Sequence, residues 1–462
     1  MNPLNLPTAF EGPDSPPSAL INTCVHCGFC LPTCPTYVLW GEEMDSPRGR
    51  VYLMKAGVEG RAEMQPSFVQ HFDRCLGCLA CVTACPSGVQ YGPLIEKTRA
   101  QIERRYERTL SDRLFRSALM ALVPYPQRLR IAMFPLVLFG GVVRAIGRAL
   151  LSPVKGAPNA ETSVGAPRPQ PSGEASFWSR VSAALALSPP VSLSSFFGGL
   201  PELTPAAGES RMKVAVLTGC VQRLSFADVN RATVNVLAAE GCTVAAPPGQ
   251  GCCGALPLHA GGIDQARRLA KHNIEVFERA GVDRIVVNAA GCGSAMKEYK
   301  DLLAADVEWA ARAHAFSDKV RDVSELLVEL GEPRAERRPI QARVVYHDAC
   351  HLAHGQGVRS QPRALLQAIP GVELLTPAES EICCGSAGIY NLVQPEPAMQ
   401  LGARKARNIA ALSPDMIATA NPGCTLQISA AARILGYNWP VFHPVQLLDA
   451  SIRGKTLRGA RK

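Results

Sequence analysis

The chain has 462 residues, of which 47% are hydrophobic and 19% charged, and its formal net charge is +9 at pH 7. This length suffices for two to four domains, and seventeen cysteines in so long a chain exclude a small secreted disulfide scaffold and predict thiols in a reducing compartment. No nucleic-acid motif or aromatic-rich basic patch accompanies the positive charge, so we exclude a nucleic-acid partner. The N-terminus shows no secretory signal pattern and no apolar run has the length of a membrane span, which predicts a cytoplasmic protein.

The N-terminal part contains two identical cysteine runs. Residues 1–20 are rich in proline and predict an irregular arm. Within residues 21–100, each run has the spacing C-x2-C-x2-C-x3-C and is followed by proline. The cysteines of the two runs are Cys24, Cys27, Cys30 and Cys34, then Cys75, Cys78, Cys81 and Cys85. This spacing is typical of bacterial two-cluster ferredoxins and predicts such a domain over residues 21–100, with a turn and a helix at 45–60 between the runs.

The same spacing predicts which cysteines share a cluster. Three cysteines of one run bind three irons of a [4Fe–4S] cluster, and the fourth thiolate comes from the other run. The predicted ligands of cluster 1 are Cys24, Cys27, Cys30 and Cys85, and those of cluster 2 are Cys75, Cys78, Cys81 and Cys34. Zinc sites and disulfides are the alternatives, but zinc sites typically show paired CxxC motifs without the terminal proline.

Four other polar residues lie close to these cysteines in sequence. Positive charge on Arg48, Arg50 or Arg74 would favour the reduced, more negative cluster, and the alternative role of these residues is ordinary ion pairing. His26 lies between two ligands, where it either supports the cluster or points to solvent.

Residues 101–151 are predicted to be helical, with basic faces and an apolar stretch at 131–143. Basic residues beside an apolar segment are typical of a helix on an anionic membrane surface, and equally of a helix packed on a partner subunit or on the protein's own core. Residues 152–210 are rich in Pro, Ser and Gly and predict a linker.

Strands and helices alternate from residue 211 onward. The predicted strands are 212–218, 242–247, 284–289, 343–347 and 416–420, and the predicted helices are 226–240, 261–280, 362–369, 397–411 and 425–435. This alternation predicts parallel sheets covered by helices. Cysteine landmarks recur about 130 residues apart, which indicates an internal repeat.

We therefore predict two similar lobes related by a pseudo-twofold axis: lobe one over residues 211–335 and lobe two over 336–450, followed by a basic tail at 451–462. The predicted fold class is multidomain, α+β and α/β. A helical ferredoxin-like module with two [4Fe–4S] clusters precedes the two repeated α/β lobes.

Each lobe holds a second type of cysteine site. Its cysteines follow predicted strands, and open α/β sheets place their sites outside the carboxyl ends of the strands. We expect convergence of Cys220, Cys252, Cys253 and Cys292 in lobe one, and of Cys350, Cys383, Cys384 and Cys424 in lobe two. Four thiols could bind an additional Fe–S cluster or zinc, or form a redox disulfide, and the adjacent cysteine pairs followed by glycine argue against merely buried cysteines.

Three histidines surround Cys350 in lobe two, namely His347, His351 and His354. A mixture of histidine and cysteine favours zinc or a proton relay. The alternative is that these side chains are solvated, with His347 at a strand end.

Longer segments resemble a known family. The segments CVHCGFCLPTCPTY, SPRGRVYLMK and RCLGCLACVTACPSGVQY, together with the later GCCGA, AGCG and CCGSAGIY, resemble the iron–sulfur subunit of glycolate oxidase over about residues 20–120 and 211–449. The resemblance implies two [4Fe–4S] clusters and a complex that oxidises glycolate to glyoxylate, with FAD only on partner subunits.

The lobes also resemble the CCG domains of heterodisulfide reductase, which hold a non-cubane cluster on five cysteines. The fifth cysteine is replaced by Ala295 in lobe one and by Gln427 in lobe two, which leaves four per lobe and argues against such clusters here.

No flavin fingerprint and no catalytic triad or carboxylate pair is visible, so we expect no catalytic residue on this chain. The resemblance implies an electron-transfer subunit that passes electrons from FAD-binding glycolate oxidase subunits towards quinone or another membrane acceptor. It would lie in the cytoplasm, peripherally on the inner face of the cell membrane. The alternatives are the iron–sulfur subunit of anaerobic glycerol-3-phosphate dehydrogenase or of a lactate-utilisation complex, a thiol redox subunit of the heterodisulfide reductase type, and a zinc-stabilised scaffold.

Overall fold

The computed structural model describes residues 8–12, 14–134, 175–188 and 198–461. An N-terminal helical part is followed by two mainly parallel sheets with helices around them, which confirms the predicted mixture of helical and α/β content. The helices of the N-terminal part are Ser18–Ile21, Pro35–Trp40, Pro47–Val58, Pro66–Asp73, Ala80–Thr83, Tyr91–Arg105 and Leu110–Leu122, with a 3-10 turn at Glu43–Asp45 and helical residues at 126–134.

Proline and capping residues set the helix starts around the cysteine runs. The helices at Pro35, Pro47 and Pro66 each begin with proline, whose fixed φ suits the first helical turn. The hydroxyl of Ser46 accepts a hydrogen bond from the backbone N–H of Gly49 at 3.0 Å and so caps the helix between the two runs. These short helices hold the two cysteine loops against one apolar core that includes the buried side chains of Phe72, Met54 and Leu94.

Two sheets form the rest of the fold. The strands are β1 Leu203–Thr204, β2 Met212–Val216, β3 Cys242–Ala245, β4 Arg284–Val287, β5 Val320–Asp322, β6 Ala342–His347, β7 Val372–Leu375, β8 Met416–Thr419 and β9 Val441–Phe442. The first sheet has the order β1-β3-β2-β4-β5 and the second has the order β7-β6-β8-β9. All pairs are parallel except β1 with β3.

The helices around the sheets are Phe177–Ala186, Val221–Ser225, Ala227–Ala239, Ala255–His259, Ile263–Ala280, Ala290–Lys297, Tyr299–Leu302, Ala310–Lys319, Val323–Glu329, Ser360–Gln367, Tyr390–Val393, Pro395–Ala410, Pro422–Ile434 and Pro444–Arg453, with a π-helical turn at His351–Gly355.

The two sheets repeat the same topology. Within the first sheet the repeated strands have the order β3-β2-β4-β5, and the second sheet has the order β7-β6-β8-β9. In both, the first strand in sequence lies between the second and the third, and the fourth lies beyond the third. The first strands also correspond in register, since Val214 pairs with Val244 and Arg284, and Val344 pairs with Leu374 and Met416.

Helix packing between the lobes is reciprocal. Helix Ala227–Ala239 of lobe one packs on Pro444–Arg453 of lobe two, and Val323–Glu329 of lobe one packs on Ser360–Gln367 of lobe two. In each lobe, a helix between the first and second strands therefore contacts the last helix of the other lobe, which is the arrangement that a twofold relation requires. The apolar side chains of this interface form one continuous core across both lobes.

The structure differs from the sequence-based expectations at a few elements. Strand β1 is antiparallel to β3, because this short edge strand enters from the segment that precedes the repeat. The segment 152–210, predicted as a linker, contains β1 and the helix Phe177–Ala186. That helix is held by the buried ion pair between Arg180 and Asp112, 2.8 Å long, a contact that local composition does not reveal.

Within the described ranges, no helix combines the length and the apolar character needed to cross a membrane. Of the apolar stretch at 131–143, residues 131–134 belong to the described part of the chain and the rest lies outside it. Several arginines of the preceding basic tract make intramolecular ion pairs: Arg104 with Asp14, and Arg108 with Asp73.

Candidate metal centres

The first ferredoxin-like cavity is built mainly by the first cysteine run. Its lining includes five cysteines, namely Cys24, Cys27, Cys30, Cys81 and Cys85. His26 and Gly28 both have left-handed backbone conformations, with φ of 55° and 86°, which fold the loop tightly around the cavity. The structure therefore brings the fourth cysteine of the second run, Cys85, to the three leading cysteines of the first.

The second cavity mirrors the first. Its lining includes four cysteines, namely Cys34, Cys75, Cys78 and Cys81. Gly77 and Leu79 have φ of 63° and 62°, at the positions that match His26 and Gly28 of the first run. Cys34, which directly precedes the helix Pro35–Trp40, turns away from its own run and faces this cavity. Cys81 lies on the wall between the two cavities.

At Cys75 the charges of Arg50 and Arg99 outweigh burial and lower the pKa of the thiol, but burial makes free thiolates unfavourable at other cysteines of both cavities. It raises the pKa of Cys24, raises that of Cys30 to about 11, and raises the pKa values of Cys78 and Cys81 well above the usual range. A metal cation supplies the positive charge that stabilises such buried thiolates. At least four soft sulfur donors line each cavity, which is the donor set of an iron–sulfur cluster, so the residues present fit two such groups.

Arginine 50 and its partners add positive charge beside the second cavity. Burial opposes the charge on Arg50, but the neighbouring Cys75, Tyr91 and Cys34 raise its pKa. One guanidinium nitrogen lies 3.9 Å from the sulfur of Cys34. The same guanidinium lies 3.4 Å from Asp45, so Arg50 makes an ion pair and also lies beside a predicted cluster ligand.

The neighbouring arginines are held by ion pairs. Arg74 contacts the buried carboxylate of Asp45 at 2.9 Å, and Arg48 pairs with Glu43 at the first cavity. Sequence reasoning missed Asp45, which lies in the segment between the cysteine runs and could have been noticed there. It also missed Arg99, which donates hydrogen bonds to the carbonyls of Phe72 and Cys75 from a distant helix and left no local signal.

The four cysteines of lobe one form a continuous row. Cys252 and Cys253 are buried in one apolar cluster, and Cys220 and Cys292 pack against that cluster. They follow the carboxyl ends of β2, β3 and β4, as the strand–loop pattern predicts. The hydroxyl of Tyr299 donates to the carbonyl of Cys253 at 2.6 Å and fixes this loop.

Lobe two repeats the row and adds histidine. The sulfurs of Cys350 and Cys383 are 4.0 Å apart, and those of Cys384 and Cys424 lie within 4.8 Å of each other. Hydrogen bonds from Cys383 and Cys424 lower the pKa of Cys384, and His347 adds to this effect.

The three predicted histidines of lobe two have different surroundings. The ligand atoms of His347, Cys384 and Cys424 all lie within 4.8 Å of one another. His351 lies 3.6 Å from the sulfur of Cys350 through its Nδ1 atom. His354 instead meets the hydroxyl of Thr83 at 2.8 Å, so it joins lobe two to the ferredoxin-like module rather than facing the cysteine row.

The residues that replace the fifth cysteines, Ala295 and Gln427, are buried and contribute to the packing of the two lobes. Ala295 is buried in the core of lobe one. In lobe two the side chain of Gln427 accepts a hydrogen bond from Asn391 at 3.1 Å and donates one to the carbonyl of Ala398 at 2.8 Å.

The second cavity adjoins the cysteine row of lobe two. Cys78, Cys350 and Cys383 belong to one buried cluster, together with Leu76 and Tyr390. Burial raises the pKa of Cys78, and a negative charge on Cys350 would raise it further. The ferredoxin-like module is therefore in direct contact with the site of lobe two.

Comparisons with protein families match three parts of the chain. A 4Fe-4S dicluster domain matches residues 20–89, and the cysteine-rich CCG domain matches residues 214–297 and 344–429. Two [4Fe–4S] clusters are therefore the cofactors of the ferredoxin-like module, and the cysteine-rich domains are consistent with further iron–sulfur binding.

Relatives match most of the chain. The chain is 38% identical over 408 residues to the probable glycolate oxidase iron–sulfur subunit of Bacillus subtilis, which covers 88% of this chain and 87% of the relative. It is 34% identical over 426 residues to the glycolate oxidase iron–sulfur subunit of Escherichia coli, covering 91% and 93%. It is 28% identical over 239 residues to lactate utilization protein A of a Geobacillus strain, covering 52% of this chain and 100% of the relative.

Proposed function

The chain belongs to the family of glycolate oxidase iron–sulfur subunits, and from this premise we propose that it carries electrons from FAD-binding partner subunits, which oxidise glycolate to glyoxylate, towards a membrane acceptor such as quinone. The observation that carries this proposal is the pair of adjacent cavities, each lined by four or five cysteines, in a chain that matches its relatives over about nine-tenths of its length. We place no substrate-oxidising site on this chain.

We propose crossed ligand sets for the two clusters. The set for cluster 1 is Cys24, Cys27, Cys30 and Cys85, and the set for cluster 2 is Cys75, Cys78, Cys81 and Cys34. When bound, the clusters supply one-electron carriers with potentials set by charge, hydrogen bonds and solvent exposure. The surrounding residues exclude water and supply the charges that tune these potentials, with Arg50 beside Cys34 as the closest example.

The exposure of the two cavities indicates which of them exchanges electrons with a partner. Cys27 is exposed and lies on the first cavity, whereas Cys78 is buried against lobe two. We propose that electrons are exchanged with a partner at the exposed first cavity and reach the second through the wall that Cys81 shares.

We propose that the protein associates peripherally with the inner face of the cell membrane or docks there through its flavin partners. Exposed apolar side chains support a contact surface in this part of the chain: Leu110 and Leu114 are 61% and 60% exposed, and Ile131, the first residue of the stretch 131–143, is 76% exposed. Such a surface fits a partner subunit as well as a membrane.

Lactate oxidation is the second candidate, because lactate utilization protein A matches about half of this chain. That match is 28% identical, whereas the glycolate oxidase subunits match about nine-tenths of the chain at 34% and 38%. Glycolate is therefore the favoured substrate of the complex.

The test is purification of the complex with its flavin subunits and variants of this chain. We expect glycolate to reduce the flavin in wild type and in Cys78→Ser alike, while electron transfer to a quinone analogue is lost in Cys78→Ser. Cys242→Ala is the matched control, because Cys242 is buried in β3, away from the sites described above. Glycolate turnover by this chain alone, or normal quinone reduction in Cys78→Ser, would refute the relay.

Deletion of 131–143 should move the complex to the soluble fraction, and retention on membranes would refute the surface role of that stretch.

A further inference from the structure

A histidine in lobe two is buried without a hydrogen-bond partner. His347 ends strand β6 and is 1% exposed. Neither of its ring nitrogens has a hydrogen-bond partner among the described residues. A buried polar group without a partner is costly, and each such group in a native fold calls for an explanation, for example a bound ion.

Two thiols lie directly beside this imidazole. One ring nitrogen of His347 and the sulfurs of Cys384 and Cys424 all lie within 4.8 Å of one another, and all three residues are buried. In a tetrahedral zinc site, with Zn–S of about 2.3 Å and Zn–N of about 2.0 Å, neighbouring donor atoms are about 3.5 Å apart. The spacings observed, of up to 4.8 Å, are of the same order, and a bound ion would draw the three atoms closer together. Imidazole with thiolates is a donor set that suits zinc or iron.

Lobe one provides an internal comparison. The register of β2 and β6 makes Leu217 the counterpart of His347, and Cys253 and Cys292 are the counterparts of Cys384 and Cys424. Leu217 is 2% exposed and belongs to the apolar core of lobe one. The thiols of the two lobes therefore match, but the nitrogen donor exists in lobe two alone.

We propose that lobe two, and not lobe one, binds a single transition-metal ion, zinc or iron, through the imidazole of His347 and the thiolates of Cys384 and Cys424. Three protein ligands leave one position of a tetrahedron open, as in zinc sites that accept an external ligand. The site is separate from both ferredoxin-like cavities, so it stands or falls independently of the relay.

The experiment compares metal contents of the full-length protein purified anaerobically. The variant His347→Leu introduces the residue of lobe one, and Cys292→Ser removes a thiol of lobe one as the control. Zinc, iron and acid-labile sulfide are measured per chain, and the signals of the two clusters are recorded by EPR in the same samples. Two cubane clusters account for about eight irons and eight sulfides.

The expected result is about one zinc, or one iron beyond those of the clusters, in wild type and in Cys292→Ser, and its loss in His347→Leu with the cluster signals unchanged. Where the bound metal is zinc, X-ray absorption should show both nitrogen and sulfur shells. Should His347→Leu fail to fold, His347→Cys, which keeps a ligand, must retain the ion while Cys424→Ala loses it.

Four outcomes would overturn the proposal, three that concern the extra ion and one that concerns sulfide. The extra ion could be missing from wild type, it could persist in His347→Leu, or it could be lost from Cys292→Ser. Sulfide above the content of two cubanes would also overturn it, because it would indicate a further cluster instead of a single ion. Since the iron and sulfide of the two cubanes are counted separately, failure of this site is distinguishable from failure of the relay.

Discussion

The guanidinium of Arg50 lies 3.9 Å from the sulfur of Cys34, and its side chain is 1% exposed. At this depth water screens its charge weakly, so the charge acts strongly on the second cavity. Arg48 lies at the first cavity and is 31% exposed, so water screens it more. These two arginines are two positions apart in sequence, but each lies at a different cavity, and the charge of Arg50 acts more strongly on its cavity than that of Arg48.

We predict that Arg50→Met lowers the reduction potential of cluster 2, the cluster of the second cavity. Reduction adds negative charge, which Arg50 stabilises, so its loss favours the oxidised form. A loss of about 1.4 kcal/mol corresponds to about 60 mV for a one-electron couple. EPR-monitored redox titration measures the change. The control Arg48→Met should alter the other cluster instead, and an unchanged or raised potential in Arg50→Met would contradict the prediction.

At the scale of elements, two loops exchange their last cysteines. The first run turns so that Cys34 reaches the second cavity, and the second run turns so that Cys85 reaches the first. Proline follows each of these cysteines, so the chain leaves the loop at once in a helix or a turn. The two loops depend on each other, because neither run alone surrounds a cavity.

We predict that paired cysteine variants distinguish crossed from uncrossed ligand sets. With crossed sets, Cys24→Ser combined with Cys85→Ser removes two ligands of one cluster and leaves about half of the iron. Cys24→Ser combined with Cys34→Ser removes one ligand from each cluster and damages both. Iron and sulfide analysis with EPR measures the outcome. The opposite result, with more iron retained in the second pair, would show that each run holds its own cluster.

At the scale of the whole molecule, three parts of the chain meet at a partly buried group of four ionisable side chains, namely Glu96, His259, Glu298 and His351. Glu96 of the ferredoxin-like module lies 3.2 Å from His259 of lobe one. The ring of His259 lies 4.9 Å from that of His351 in lobe two, measured between centroids. Burial raises the pKa values of Glu96 and of Glu298 to about 7, and burial lowers that of His259 to about 3. The contact between the three parts therefore depends on protonation.

We predict that the free energy of unfolding contains a term from Glu96 that decreases as the pH rises. Between about pH 4.5 and 7 the folded protein keeps the proton on Glu96 while the unfolded chain loses it, so unfolding becomes easier with rising pH. Because the side chain is 19% exposed, we expect a contribution on the order of 2 kcal/mol. His259 acts in the opposite direction, since the unfolded chain takes up its proton below about pH 6.5.

The variant Glu96→Gln isolates this term from that of His259. Melting temperatures measured anaerobically across this pH range should fall less steeply in Glu96→Gln than in wild type. Glu275→Gln, an exposed glutamate on helix Ile263–Ala280, is the matched control. Equal slopes in Glu96→Gln and wild type would contradict the prediction.

Sequence patterns identified the elements whose signals are local. The five predicted strands match β2, β3, β4, β6 and β8, which lie inside the sheets and read as apolar runs. The strands β1, β5, β7 and β9 were missed. All four are edge strands, and β7 and β9 lack fully buried residues, so they do not read as buried apolar runs. Helix Ala290–Lys297 was missed because its start is rich in glycine, and packing in the core of lobe one stabilises it.

By itself the sequence determined the cofactor class, the repeat and the family, because cysteine spacing, strand–helix alternation and the roughly 130-residue offset are local or periodic along the chain. Only the tertiary structure decided that Arg50 and not Arg48 is buried beside the second cavity, that Cys78 adjoins lobe two, and that His347 meets Cys384 and Cys424. These contacts join residues that are far apart in sequence or alike in type. Their geometry depends on how the packed elements are oriented, which no local pattern encodes.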